Sequence, residues 1–221
     1  MLLDRQRVKF WQKWVFGFMA VIMAAFLIMI PINRSMGCGG GGTSSATEQL
    51  NKEIAKYQAA VKADRKDVES WRSLAESYAL RANAQQPGSA AEQGDLRLAA
   101  QYYERAVKLL SKQKGTAAKQ LRIDTLQRLV SVYLFLKDPQ QATSVYGQIT
   151  ALTPKDAQAF YDMATMAIQA GDTNTALLAF TRFLKLDPSS PDAPSVRDWI
   201  ATNSGAATPT PAPSSSAGGG P

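Results

Sequence analysis

The chain has 221 residues, 45% of them hydrophobic and 19% charged, which suits one folded domain with appended segments. It contains no histidine and one cysteine, Cys38, so histidine-dependent catalysis, imidazole metal sites and an intrachain disulfide are excluded. The formal net charge is +7, but the residues after Arg34 carry 20 lysines and arginines against 17 acidic residues. A nearly balanced domain is not expected to bind nucleic acid, which requires a clustered basic face. We predict no catalytic residue, no cofactor and no metal site.

A transmembrane helix is predicted at residues 14–32, where "WVFGFMAVIMAAFLIMIPI" runs 19 residues without a charge. At about 1.5 Å per residue, this run matches the hydrocarbon thickness of a bilayer, roughly 30 Å. A buried core helix is the alternative, but such helices rarely lack a polar face over this length. The run is longer than the apolar part of a signal peptide and has no clear Ala-x-Ala cleavage site, so we predict an uncleaved anchor.

The basic residues on the two sides of the span predict its orientation. Four of them precede the span: Arg5, Arg7, Lys9 and Lys13. Only Arg34 follows it closely. Because positive residues stay on the cytoplasmic side, residues 1–13 are predicted to be a cytoplasmic N-terminus. The rest of the chain is then expected on the extracytoplasmic side of a cell membrane that it crosses once.

Residues 33–45 are predicted to be a flexible linker, because they are rich in glycine and serine. Cys38 lies in this segment and is interpreted as an incidental thiol. Lipidation stays an alternative, since Gly37 precedes Cys38 as a small residue does in bacterial lipoprotein signals. Arg34 and Ser35 do not fit that signal.

After residue 46 the sequence predicts helices, because apolar residues recur at spacings of three and four and no period-two strand pattern is present. Within residues 157–188, eight positions keep their class when the sequence is shifted back by 34 residues. The eight are Phe160, Met163, Ala164, Ala167, Ala176, Phe180, Phe183 and Pro188, which correspond to Leu126, Leu129, Val130, Tyr133, Ala142, Tyr146, Ile149 and Pro154. The small residues predict close helix approach, and the prolines separate units. Gly171 is expected to end one helix, with Asp172 or Thr173 capping the next.

A third, earlier unit has the same spacing with two insertions. Trp71, Leu74, Ala75 and Tyr78 reproduce the first helix, and Ala99, Tyr103 and Ala106 reproduce the second. The extra residues lie around "NAQQPGSAAEQG" and "SKQKGTAAK" and are predicted to be loop extensions. Their composition of Gly, Ser, Gln and Ala is the basis for that prediction.

The pattern resembles the tetratricopeptide repeat, most clearly in "WRSLAESY" at residues 71–78 and "ALLAFTRFLKLDP" at residues 176–188. The resemblance implies an all-α, right-handed solenoid of helix pairs, here preceded by the transmembrane helix. The domain is placed at residues 46–200, with eight helices expected. Its parts are repeats at about 68–111, 123–156 and 157–190 and a capping helix at 194–200. Residues 201–221 are predicted to be a disordered Pro/Ser/Gly tail.

The resemblance also implies a protein or peptide partner bound on the concave face formed by the first helix of each pair. The candidate binding residues on that face are Arg72, Glu76, Gln127, Leu134, Phe135, Tyr161, Thr165 and Ile168. Some members of the family grip acidic peptide tails with Lys, Arg and Asn at these positions. Because only Arg72 is basic here, an acidic tail is not the expected ligand.

Two classes of function fit the sequence. The first is a membrane-anchored scaffold for protein–protein interaction on the extracytoplasmic side of a bacterial membrane, in the assembly or biogenesis of envelope proteins. The second is an accessory subunit of an envelope enzyme or of a transport or cytochrome-assembly complex. An enzyme would have to use carboxylates such as Asp64 with Asp67, or Glu69 with Glu76, and a solvated helix face explains both pairs more simply. The regular spacing favours the scaffold.

Overall fold

The computed structural model describes residues 41–205, which form eight α-helices and contain no strand. The helices are α1 (Gly41–Ala63), α2 (Val68–Asn83), α3 (Ala90–Leu110), α4 (Thr116–Phe135), α5 (Pro139–Leu152), α6 (Ala157–Gln169), α7 (Thr173–Leu186) and α8 (Ala193–Asn203). The predicted all-helical class and the expected eight helices are confirmed for this part of the chain.

Several predicted segments lie outside the described residues. They are the N-terminus at 1–13, the span at 14–32, the linker up to residue 40 and the tail from residue 206. Between residues 41 and 205, none of the helices combines the length and the apolar character that a bilayer crossing requires.

Aspartate side chains fix the N-terminal ends of four helices. The capping residues are Asp67 of α2, Asp138 of α5, Asp156 of α6 and Asp172 of α7. Each carboxylate accepts a backbone N–H that has no partner inside its helix. In Asp67 and Asp172, hydrogen bonds from the Ser70 and Thr175 hydroxyls and from backbone N–H groups lower the pKa of the carboxyl. Of the two caps predicted for α7, Asp172 rather than Thr173 is the one used.

The turns between the helices of the second and third pairs have the same geometry. The Asp138 N–H donates to the Tyr133 carbonyl at 2.9 Å, and the Asp172 N–H donates to the Ala167 carbonyl at 2.8 Å. Each turn needs a left-handed residue just after the first helix. Gly171 supplies it with φ 76°, whereas Lys137 adopts φ 55° at the equivalent position. The predicted helix end at Gly171 is confirmed, and the preceding repeat makes the same turn with a residue that is strained there.

The two insertions of the first repeat are only partly loops. Helix α3 begins at Ala90 and α4 at Thr116, so about half of each insertion extends a helix. Alanine, glutamine and glutamate favour helix, and the Ser89 hydroxyl caps α3 by accepting from the Glu92 N–H at 3.1 Å. Helix propensity therefore outweighed the turn residues that suggested loops.

Two boundaries at the ends of the domain also differ from the predicted ones. Helix α1 begins at Gly41, within the predicted linker, and α8 continues to Asn203, beyond the predicted start of the tail. Once a helix is nucleated, each added residue gains a hydrogen bond at little cost, so weak helix formers at an end are recruited.

From α2 to α8, each helix packs on the next helix in the chain, as stacking of helix pairs predicts. Five alanines at the predicted contact positions are 0% exposed: Ala75, Ala99, Ala142, Ala164 and Ala176. Because these residues project only a methyl group, paired helices approach closely and the larger aromatic residues fill the space around them. The prediction that small residues set the helix approach is confirmed.

The N-terminal end of the stack is covered by α1, which attaches through side chains. Ile54 and Val61 are buried in the main apolar cluster. The Gln58 amide donates to the Tyr78 hydroxyl at 2.8 Å. Arg81 of α2 links three helices, since it donates to Asn51 of α1 and forms a two-point ion pair with Asp95 of α3.

Helix α8 covers the C-terminal end as predicted. Val196 is buried, and the Trp199 ring stands edge-on to Phe180 of α7 with 5.2 Å between centroids. Each end of the apolar core is therefore covered by one helix, α1 at the N-terminal end and α8 at the C-terminal end.

Candidate protein-binding surface

The first helices of the three pairs, α2, α4 and α6, carry all the predicted binding residues on one set of equivalent positions. We call this surface the first-helix face. It consists of Glu69, Arg72, Glu76, Leu80, Asp124, Gln127, Arg128, Ser131, Leu134, Phe135, Tyr161, Asp162, Thr165 and Ile168. Equivalence follows from the repeat, in which Tyr78 of α2 corresponds to Tyr133 of α4, and residues of α6 lie 34 positions after those of α4.

Arg72 joins α2 to α4. Its guanidinium donates from Nε to Thr125 Oγ1 at 3.0 Å and from Nη2 to Asp124 Oδ2 at 2.5 Å. The remaining nitrogen, Nη1, lies 2.9 Å from Glu69 Oε2. With every guanidinium nitrogen engaged and the side chain only 14% exposed, Arg72 holds two helices together.

A second ion pair continues this network along the face. Glu76 lies 3.0 Å from Arg128, whose Nε is 3.3 Å from the Asp124 carboxylate. Arg128 was not among the predicted residues, because an exposed arginine on a helix carries no sequence signal of its own. The network contains three carboxylates and two guanidinium groups, so its positive charges are neutralised within the protein.

An apolar groove of 220 Å³ lies beside these ion pairs, between α2 and α4. Leu80 and Phe135 line it from equivalent positions of the two helices, and they are 49% and 59% exposed. Large hydrophobic side chains this exposed and this close together are typical of surfaces that bind a partner. Leu80 was missed from the sequence, although aligning Tyr78 with Tyr133 places it at the position of Phe135.

The apolar character continues from α4 to α6. Leu134 and Ile168, which lie 34 residues apart, are both exposed. Gln127 is also exposed, and its backbone carbonyl accepts from the Ser131 hydroxyl. The predicted residues Gln127, Leu134, Phe135 and Ile168 are therefore accessible.

Tyr161 and Thr165 are less accessible than predicted. The Tyr161 ring packs on Phe180 and Phe183 of α7, with centroid separations of 5.7 and 5.3 Å. The close approach of α6 and α7 at Ala164 brings these rings into contact and leaves Tyr161 partly buried. Thr165 is also partly buried, and its hydroxyl donates to the Tyr161 carbonyl at 3.0 Å.

Asp162 is a partly buried carboxylate at the α6 edge of the face. Burial, which disfavours the charged form, raises the pKa of its carboxyl, although a 2.8 Å hydrogen bond from Gln158 opposes the shift. The neighbouring Tyr146 of α5 also has a raised pKa, chiefly from burial. Asp162 has no ion pair with any residue between 41 and 205.

The first-helix face combines exposed apolar side chains with two arginines, Arg72 and Arg128, that are already paired with carboxylates. No group of three or more His, Cys, Asp or Glu side chains within residues 41–205 is arranged to hold a metal ion. A surface of this kind takes up apolar side chains of a peptide and has few unpaired charges with which to fix a small polar substrate.

Comparison with known proteins gives one family match. Residues 128–191, from the second half of α4 through α7, match the sequence profile of the tetratricopeptide repeat. The match falls on the two units that the 34-residue period joins without interruption. No curated protein sequence matches the chain.

Solved structures with a similar helix arrangement are distant in sequence. One is the crystal structure of MamA, which has 17% sequence identity and a TM-score of 0.45. The match covers 77% of this chain and 87% of the MamA chain. YrrB, described as a TPR protein with an unusual peptide-binding site, is also 17% identical, with coverage of 73% and 72% and a TM-score of 0.46. MamA from Desulfovibrio magneticus RS-1 is 15% identical, with coverage of 76% and 92% and a TM-score of 0.36.

Proposed function

We propose that this chain, whose residues 128–191 match the tetratricopeptide repeat, is a scaffold that binds a peptide segment of a partner protein on its first-helix face. The observation that carries the proposal is the groove between α2 and α4. There, Leu80 and Phe135 form an apolar pair that stays exposed beside the Glu76–Arg128 ion pair. Apolar anchors surrounded by polar groups are the usual source of binding energy at protein interfaces.

The chemistry of the face indicates an apolar peptide segment. Both arginines of the face are held by carboxylates, so little positive charge is left for an acidic tail. Leu134 and Ile168 extend the apolar surface toward α6. A peptide with two or more apolar side chains could therefore be held by adjacent helix pairs.

The scaffold is proposed to act on the extracytoplasmic side of a bacterial membrane, anchored through residues 14–32, in the assembly or biogenesis of envelope proteins. The charge-free run and the basic residues before it support this placement. A Lys155→Cys variant in a Cys38→Ser background tests it, since Lys155 is exposed. A membrane-impermeant maleimide should label this cysteine in intact spheroplasts, and labelling only after lysis would contradict the placement.

Site-specific photocrosslinking tests the binding surface. A benzoylphenylalanine introduced at Phe135 of the full chain in native membranes should trap a partner, and Leu80→Ser should reduce the yield severalfold. Leu178 of α7 is the matched control, because it is 75% exposed but lies on a second helix. Equal crosslinking from Leu178, or an unchanged yield with Leu80→Ser, would reject the first-helix face.

A further inference from the structure

A second groove, of 440 Å³, lies at the N-terminal end of the stack and shares no residue with the first-helix face. It is formed by the end of α1, the turn that follows, α2 and α3. Trp71 and Tyr102 contribute aromatic surface to it, and Lys62, Arg65 and Arg105 contribute positive charge. No carboxylate lines it. Its volume is in the range of grooves that accept small ligands or a few peptide residues.

The aromatic side chains of this groove are fixed in place. Trp71 lies 5.7 Å from Tyr102 between ring centroids, and Tyr102 lies 5.5 Å from Tyr78. The Trp71 indole N–H donates to the Arg65 carbonyl at 3.1 Å, which ties the ring to the turn after α1. A ligand would meet this aromatic surface without having to order it, which lowers the entropic cost of binding.

The three cations around the groove are not neutralised by the protein. Lys62, Arg65 and Arg105 are exposed, and none forms an ion pair with a carboxylate of residues 41–205. Arg105 lies over the Trp71 ring, 5.9 Å from its centroid. On the first-helix face, in contrast, both arginines are held by carboxylates.

The acidic residues of the adjoining turn are turned to the backbone. Asp64 accepts from the Lys66 N–H at 2.8 Å, and Asp67 accepts from the Glu69 N–H at the start of α2. These bonds use the carboxylates within the turn and its cap. The positive charge at the groove is thus concentrated beside an aromatic surface.

We propose that this groove binds an acidic peptide segment of a partner protein, with an aromatic or aliphatic side chain seated against Trp71 and Tyr102. Charge complementarity carries the choice of ligand, because carboxylates are the groups that Lys62, Arg65 and Arg105 can pair with. The aromatic surface adds a preference for an apolar side chain between the acidic residues. The groove is separate from the first-helix face, so the chain has two binding surfaces of different chemistry.

The test uses the full chain in phosphatidylcholine nanodiscs as bait for a displayed library of random 12-residue peptides. Selected peptides should be enriched in Asp and Glu around an aromatic or aliphatic residue. A synthetic copy of the best peptide should bind the Lys62→Glu/Arg105→Glu variant about tenfold more weakly, and high salt should weaken its binding to the unchanged chain. Helical circular dichroism and melting of the variant confirm that it is folded.

Two control variants separate the possible outcomes. Lys155→Glu/Lys185→Glu carries the same charge change on exposed residues away from the groove and should leave affinity unchanged. Leu80→Ser/Phe135→Ser, which alters only the first-helix face, should also leave the affinity for the peptide unchanged. A failure of the crosslinking experiment on the first-helix face would therefore not decide the outcome at this groove. Selection without acidic enrichment, or equal affinity of the groove variant, would overturn the proposal. Groove-dependent binding to phosphatidylglycerol vesicles in place of peptide would also overturn it and assign the groove to lipid.

Discussion

The first and third helix pairs share the repeat signature of buried alanines at the helix contact. They differ in the side chains that join the two helices of the pair around those alanines. Between α2 and α3, the guanidinium of Arg81 pairs with both carboxylate oxygens of the buried Asp95, at 2.7 and 2.6 Å. Between α6 and α7, Tyr161 packs on Phe180 and Phe183. The signature therefore determines how closely the helices approach, while the remaining space can be filled by ion pairs or by aromatic rings.

The difference has an energetic consequence. Aromatic packing stabilises the fold in proportion to the apolar area that it buries, and it needs no partner of opposite charge. An ion pair in which one side chain is buried stabilises the fold little more than apolar side chains of the same volume would. Removing one partner is nevertheless costly, because it leaves a buried charge without a counterion. The third pair is expected to respond to loss of volume, and the first to loss of charge balance.

Removing an aromatic ring from the third pair should have the largest effect. Phe180 is buried between Tyr161 and Trp199, so Phe180→Ala should lower the free energy of unfolding by about 4 kcal/mol, measured by urea denaturation. Leu178→Ala on the same helix is the control and should change it by less than about 0.5 kcal/mol, because Leu178 is exposed. Similar losses from both variants would show that the ring cluster is not the main contributor to this pair.

Neutralising the buried carboxylate of the first pair should have the next largest effect. The pKa of Arg81 is raised, chiefly by its hydrogen bonds to Asp95, so Asp95→Asn leaves a charged guanidinium without its counterion. We expect a loss of about 3 kcal/mol in urea denaturation, at the lower end for buried pairs because Arg81 is partly exposed. The double variant Arg81→Met/Asp95→Leu should recover most of this loss.

An exposed ion pair provides the control for this prediction. Glu76 and Arg128 are both about half exposed, so Glu76→Gln should cost less than about 1 kcal/mol, and the cost should disappear in 1 M salt. The effect of Asp95→Asn should persist at the same salt concentration. If salt abolished it as well, the buried pair would have to be regarded as a surface pair.

The smallest expected effect concerns Asp162 of the third pair and depends on pH. Because its pKa in the folded protein is raised above the unfolded value of 3.8, its carboxyl favours folding only when protonated. That contribution is complete below pH 3.8 and is lost as the pH rises through the folded pKa. Asp162→Asn should therefore stabilise the protein by about 0.5 kcal/mol at pH 7 and not at pH 3, in thermal unfolding. The exposed Asp198→Asn serves as control, and an equal gain at both pH values would contradict burial as the cause.

The sequence predicts the repeat well because its period reflects a physical requirement. Ala164 and Ala176 had to be small for α6 and α7 to approach, and both are buried at the predicted positions. Residues 90–94 and 116–119, which were expected in loops, are helical, and alanine and glutamine occur in loops and helices alike. The Arg81–Asp95 pair was not predicted at all, because no local pattern marks two charges that meet across an insertion.

The candidate surface was predicted in part, and the errors have a common origin. The sequence predicted Leu134, Phe135 and Ile168 correctly as surface residues, because the period identifies which positions of each helix lie outside the core. Tyr161 is less exposed than expected, because the direction of a large ring across a helix contact depends on geometry that the period does not contain. Arg128 was missed for a similar reason, since its partner Glu76 lies on another helix.

The packing of each helix chiefly on its chain neighbours affects how the domain opens. Within residues 41–205, the extensive helix contacts join only helices that are neighbours in the chain, so α1 and α8 can detach while the middle pairs remain folded. A bound peptide that contacts both Leu80 and Ile168 would connect the first and third helix pairs, which otherwise fluctuate separately. Occupancy would then be read out as slower amide hydrogen exchange along the whole stack, even where no atom of the peptide makes contact.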